Sequence, residues 1–255
     1  MNYTVHEKSK FKYIDEGEGD VIVLLHGLFG SMGNYAELIE MLRSRYRMIV
    51  PLLPIFELPS REVSIVSLME HVYEFIKAEG YGPVHLVGNS LGGHIGLLLT
   101  LKEPELVHSL TLTGSSGLFE NALGNSFPRR QDYSFIKEVA ESTFYDPNIA
   151  TKELIDDIFD IVNTPAKGLN IVVTAKSAMR HNLEHELHKI KVPTLLIWGN
   201  NDTITPAFVG RDFNERIADS ELHILDQCGH APMMEKPTIF KELLERFLVR
   251  NKIKA

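Results

Sequence analysis

The segment Gly88-Asn89-Ser90-Leu91-Gly92 constrains this chain more than any other. It follows the apolar run Val84-His85-Leu86-Val87 and leads straight into a helix-period stretch from Leu91 to Glu103, which stops before Pro104. A strand that must turn at once into a helix forces unusual backbone angles on its turning residue, and a side chain at position 88 or 92 would collide with the neighbouring strand and helix. Two glycines around a serine are what such a turn requires, and the turn leaves the Ser90 hydroxyl exposed at the carboxyl end of the strand.

The rest of the chain has the same rhythm. Short apolar runs at Val21–Leu25, Arg47–Val50, Val84–Val87, Ser109–Leu112, Thr194–Trp198 and Glu221–Leu225 mostly lack alternation, as expected of strands buried on both faces. Between them lie helix-period segments at Tyr35–Arg43, Ser64–Glu79 (with Leu68, Val72 and Phe75 on one stripe), Leu91–Glu103, Pro206–Ile217 and Pro237–Leu248. Tyr3–Asp15 is expected to form an antiparallel hairpin at the sheet edge. The fold class is therefore α/β, with a mostly parallel sheet covered by helices on both faces. From Leu118 to Lys191 the rhythm breaks into polar turns and amphipathic pieces. This stretch is expected to be an inserted helical cap over residues 118–191, on a core made of residues 1–117 and 192–255.

Composition narrows the function classes. Lys and Arg total 26 against 34 Asp and Glu, a formal charge of -8, without the basic cluster that a nucleic-acid partner would need. No stretch reaches the length of a membrane span, no leader pattern opens the sequence, and a cytoplasmic location is expected. A single cysteine, Cys228, excludes an internal disulfide.

Serine is a poor nucleophile without a base and a group to orient that base. Asp202 follows the run ending at Trp198 through Gly199-Asn200-Asn201, and His230 follows the run ending at Leu225 through Asp226-Gln227-Cys228-Gly229. Both fall just past carboxyl ends of strands, on the edge that carries Ser90, in the chain order Ser, Asp, His. Asp226 is the rival acid, but its place four residues before the base suits a turn better. A tetrahedral oxyanion needs two backbone donors. Leu91 N–H supplies one, and the loop Leu25-His26-Gly27-Leu28-Phe29-Gly30-Ser31 supplies the second from Leu28, with Phe29 as the alternative.

Together, His26-Gly27, Gly88–Gly93, Ile197-Trp198-Gly199 with Asp202, and Gly229-His230 resemble the α/β-hydrolase superfamily over essentially the whole chain. The resemblance implies a mostly parallel eight-stranded sheet with the cap after the sixth strand. The loop Pro51–Ser60 departs from the pattern, lacking the acid and both glycines of an Asp-x-Pro-Gly-x-Gly-x-Ser turn. Within the superfamily, Gly88–Gly93, Phe144-Tyr145-Asp146-Pro147, Glu153-Leu154 and Cys228-Gly229-His230 are similar to the meta-cleavage-product carbon–carbon hydrolases. Asn34 can match the asparagine those enzymes place near the oxyanion loop. Their cap arginine, which binds the substrate carboxylate, aligns with Ile158, and Arg129 and Arg130 are better read as solvated charges than as its replacements.

The expected activity is hydrolysis of a small carboxylic ester or thioester through an acyl-enzyme at Ser90, without cofactor or metal. Phe29, Asn34, Asn89 and Phe144 are candidate substrate contacts, and Phe119, Phe127, Phe135 and Phe159 are further candidates for pocket walls. Carbon–carbon bond hydrolysis and a non-enzymatic receptor on the same fold are the alternatives. The expected partner is a small ester-like molecule, and a homodimer stays open. Three patterns are set aside. His181-Asn182-Leu183-Glu184-His185 matches a zinc-protease signature, but Leu183, Leu187 and Ile190 give that helix an apolar stripe opposite the histidines. Cys228 has no elbow to make it a nucleophile, and no glycine pattern for a dinucleotide or a phosphate loop is present.

Overall fold

The computed structural model describes residues 3–30, 32–119 and 129–253. Eight strands form one sheet: β1 (His6–Lys8), β2 (Phe11–Glu16), β3 (Val21–Leu25), β4 (Arg47–Pro51), β5 (Val84–Asn89), β6 (Val107–Thr113), β7 (Thr194–Gly199) and β8 (Ser220–Leu225). Their order is β1-β2-β4-β3-β5-β6-β7-β8. The β1–β2 and β2–β4 pairs are antiparallel, and every later pair is parallel. The hairpin at the edge is thus confirmed, and all six apolar runs are strands.

Alternation decides which face each side chain serves. Val23, Leu25, Ile49, Leu86, Leu110, Leu112, Leu196 and Trp198 point into one core with helices α2 (Ile65–Ala78), α3 (Leu91–Lys102) and α7 (Ala207–Arg216). Ile22, Leu24, Met48, Val50, Val87, Leu195 and Ile197 point into the other with α1 (Ala36–Leu42) and α9 (Pro237–Arg250). The N-terminus of α2 is fixed by a reciprocal cap: Ser64 Oγ accepts from Ser67 N–H at 3.0 Å, and Ser67 Oγ accepts from Ser64 N–H at 2.8 Å. Leu68, Val72 and Phe75 then lie fully buried on one stripe, and fully burying a side chain of this kind is worth about 1.5–3 kcal/mol.

Between β6 and β7 the chain passes through α4 (Tyr133–Glu141), α5 (Lys152–Asn163) and α6 (Pro165–Arg180). Ala140 of α4 and Ile155 of α5 form a small cluster with Ala150. By contrast, α6 is tied to the body of the protein. Ser177 Oγ accepts from Ile65 N–H at 3.1 Å, and Asn170 Nδ2 donates to the carbonyls of Ile55 and Leu58 at 2.7 and 2.9 Å. These contacts, with Leu53 N–H donating to His26 Nε2 at 3.3 Å, also define the path of the Pro51–Ser60 loop.

One expected element is corrected. The helix expected to carry His181 and His185 is absent: α6 ends at Arg180, and Leu183 N–H donates to Gly117 C=O at 2.8 Å. That bond draws the chain out of the helical path, so the two histidines do not stand one helical turn apart. Leu183, Leu187 and Ile190 are nonetheless buried.

Candidate active site

Parallel register places the carboxyl ends of the central strands together. Leu25 aligns with Gly88, Asn89 with Thr113, and Gly199 with Leu225. The turns that leave these ends carry Leu28 and Phe29, Ser90, Asp202 and His230.

Ser90 has φ 55° and ψ -119°, a left-handed φ that few non-glycine residues adopt. The strain is held by close backbone contacts: a Cβ on Gly92 would stand 2.0 Å from the Leu25 carbonyl oxygen, and one on Gly88 would stand 2.5 Å from that of Gly92. Ser90 N–H donates to Thr113 C=O at 3.1 Å, while Ser90 C=O accepts from the N–H groups of His94 and Ser116. Leu91 opens α3, so its N–H has no carbonyl partner within the helix. Across from it, Gly30 N–H closes a turn on Gly27 C=O at 3.0 Å, and Gly27 lies so near the elbow that a Cβ would be 3.3 Å from Ser90 Cβ. His26 fixes this loop. Its Nδ1 bonds Gly27 C=O at 2.8 Å and its Nε2 accepts from Leu53. Burial pushes its pKa down, so it is neutral and carries its proton on Nδ1.

His230 Nδ1 lies 2.9 Å from Oδ2 and 3.1 Å from Oδ1 of Asp202. The Asp202 side chain is fully buried and is saturated with donors. Oδ1 accepts from the N–H groups of Ile204 and Thr205, and Oδ2 accepts from Thr205 Oγ1, each at 2.9 Å. Three protein donors and the imidazole hold the carboxylate in one orientation and fix the proton of His230 on Nδ1, leaving Nε2 for chemistry. Asp226 is exposed and accepts from Asn200 Nδ2 at 3.0 Å, which is a turn contact.

Ser90 and His230 line one cavity of about 180 Å³, together with Leu28, Phe29, Asn34, Asn89 and Phe144. Thus the candidate triad, the loop donor and all four candidate substrate contacts meet at one place. The amide N–H groups of Asn89 are committed to the carbonyls of Thr113 and His230, at 3.1 and 3.0 Å, so this side chain ties the elbow to the base loop. The cap wall differs from expectation. It is mainly aliphatic, formed by Ile136, Val139, Leu154, Ile158 and Val162, with Phe144 as its aromatic member. Phe119 is exposed against Phe208, Phe135 lies under Arg129, and Phe159 packs on Tyr133. Phe127 lies outside the described residues. Arg129 and Arg130 are exposed and away from the cavity lining. Cys228 is fully buried and its thiol is pushed up to about 12 by desolvation, which removes it as a nucleophile.

The sequence profile of the alpha/beta hydrolase family matches residues 22–243. The chain belongs to that family. Among curated relatives of this hydrolase, 2-hydroxy-6-oxo-6-(2'-aminophenyl)hexa-2,4-dienoic acid hydrolase of Metapseudomonas resinovorans is 28% identical, over 94% of this chain and 88% of its own. A monoacylglycerol lipase of Bos taurus is 26% identical, over 97% and 82%. An alpha/beta hydrolase from the sediment metagenome of the Mar Chica lagoon, Morocco, has a solved structure that superposes with a TM-score of 0.80 at 35% identity, covering 97% of this chain and 98% of that one. No helix among the described residues is long and apolar enough to cross a membrane.

Sequence reasoning missed Thr205, whose hydroxyl lies 2.9 Å from Asp202 and 3.4 Å from His230 Nδ1, and Glu235, which joins the base loop to the cap. Thr205 follows Asp202 by three positions, a spacing suited to a side chain folding back on a turn, and that was the available signal.

Proposed function

We propose that this hydrolase cleaves a small, neutral carboxylic ester or thioester with Ser90, His230 and Asp202 as its triad. The observation that carries the reading is the lining of the cavity: among the described residues that line it, His230 alone bears a titratable side chain, and its far wall is aliphatic. A charged acyl or leaving group would lose its hydration there without gaining a partner.

Ser90 Oγ attacks the carbonyl carbon while its proton passes to His230 Nε2, and Asp202 stabilises the imidazolium. The oxyanion is received by the Leu91 N–H and by the loop donor at Leu28. Collapse of this intermediate expels the alcohol or thiol, which leaves with the His230 proton. Water, deprotonated by His230, then attacks the acyl-enzyme, and the acid departs as Ser90 regains its hydrogen. The cap, residues 118–191, sets the size of the group accepted.

The carbon–carbon hydrolase reading is kept in view by the dienoate-hydrolase relatives and by Asn34 at the cavity. It is weakened by Ile158, which lines the wall at the position of the expected arginine. A receptor role would leave the triad without turnover. The test is hydrolysis of p-nitrophenyl esters from acetate to octanoate by the wild type and by Ser90→Ala. Turnover by the wild type alone supports the proposal. Cleavage of a vinylogous diketone acid with no ester turned over would favour the second reading, and turnover of neither would favour a receptor.

A further inference from the structure

The turn between α4 and α5 is bonded directly to the loops that carry the acid and the base. His230 N–H donates to Thr143 C=O at 3.0 Å. Thr203 Oγ1, one residue after Asp202, donates to Ser142 C=O at 3.2 Å. Glu235, in the short helix α8 (Pro232–Glu235), bridges the two segments: Oε1 accepts from Gly229 N–H and Oε2 from Tyr145 N–H, both at 2.8 Å. The backbones are in contact as well, since a Cβ on Gly229 would meet Thr143 C=O at 2.6 Å and Phe144 Cα at 2.9 Å. On its other side this turn presents Thr143 and Phe144 to the cavity.

From this geometry we infer that Glu235 is a positioning residue that locks the cap turn and the base loop into one unit, so that the wall touching the substrate also sets the place of His230. The inference rests on the triad reading above. A carboxylate suits the task because each oxygen can accept one backbone N–H, and two charge-assisted bonds to main chain hold both segments without depending on side-chain rotamers. A turn joined only through Thr143 C=O could pivot about that bond. The second and third attachments remove that freedom. Bulk at Phe144 would therefore be felt at the base, and substrate fit would be expressed in turnover as well as in binding.

The experiment compares wild type with Glu235→Gln and the milder Glu235→Asp. In the first, one oxygen is replaced by an NH₂ that cannot accept, so one bridge is lost. In the second, the shorter arm cannot reach both amides. Amide hydrogen exchange should rise together in peptides covering 142–145 and 228–230, and exchange rising in only one segment would overturn the coupling. With p-nitrophenyl butyrate, kcat should fall about 10- to 100-fold through misplacement of the base, while KM stays within about twofold. The rate of Ser90 labelling by a fluorophosphonate should fall in parallel. Wild-type labelling and turnover rates in a folded Glu235→Gln would overturn the role, as would losses matched by the fraction unfolded. Wild type unreactive toward both ester and fluorophosphonate would count against the hydrolase reading alone, and the exchange comparison would still decide the coupling.

Discussion

The Asp202 carboxylate lies 2.9 Å from His230 Nδ1 through one oxygen and 3.1 Å through the other, and the remaining contacts of both oxygens are to Ile204 and Thr205. The carboxylate is therefore built into the turn before it serves the imidazole. Asp202→Asn keeps the shape but places an amide N–H toward the ring or toward a backbone donor, favouring the wrong tautomer. Turnover of p-nitrophenyl butyrate should fall by about four orders of magnitude, with the circular dichroism spectrum unchanged. Asp226→Asn should be silent, and a result that exchanged these two outcomes would make Asp226 the acid.

Thr205 adds a smaller effect. Thr205→Val preserves shape and removes the hydroxyl that donates to Asp202 Oδ2, while the Thr205 C=O that accepts from Trp198 Nε1 at 2.7 Å is retained. Losing one hydrogen bond to a charged group costs about 1.5–3 kcal/mol. Expressed in the transition state, this lowers kcat about 10- to 100-fold, and Thr205→Ser should restore it. Equal loss in the serine variant would show that packing, rather than the hydroxyl, matters.

Buried histidines, His85 and His94 as well as His26, give the fold an acid limit. Desolvation holds His85 and His94 at about 4, with His108 adding to the effect on His85, and Nε2 of His85 is buried without a partner. The unfolded chain takes up these protons near 6.5 and the folded one near 4, so the unfolded state binds more protons in that window and stability falls as pH drops through it. Each group can cost up to about 3 kcal/mol by pH 4. Urea midpoints should decline from pH 7 to pH 4.5, and His85→Gln should show a shallower decline. An identical slope in the variant would remove His85 from the account.

Much of the candidate site could be read from the sequence because the proposed chemistry would depend on chain geometry. Gly88 and Gly92 are needed where backbones meet, Asp202 and His230 must leave strand ends, and buried parallel strands read as continuous apolar runs. What was misread depends on tertiary partners. Leu183, Leu187 and Ile190 have helical spacing, yet the Gly117 carbonyl that captures Leu183 N–H is distant in sequence. Phe119, Phe135 and Phe159 have the size of pocket walls, but hydrophobicity does not say which face of the cap meets the cavity, and aliphatic residues of α4 and α5 took that place. Glu235 was invisible for a related reason, since its partners at 145 and 229 come together only after folding.

Ile158 is the position at which substrate charge should be set. It lines the aliphatic wall on α5, in a cavity whose other described lining residues include no Lys or Arg to meet an anionic substrate. Ile158→Arg would place a guanidinium there, and with no carboxylate among the described lining residues its partner is expected to come from the substrate. Activity toward neutral p-nitrophenyl esters should fall at least about tenfold, because burying an unpaired charge is costly and the wall loses apolar area. Activity toward a monoester bearing a terminal carboxylate, such as a hemisuccinate, should rise relative to the neutral ester. Thermal stability should drop, and adding succinate should recover part of it by pairing with the arginine. If neutral and anionic esters lose activity equally, the wall does not select charge, and the neutral-substrate reading would lose its main support.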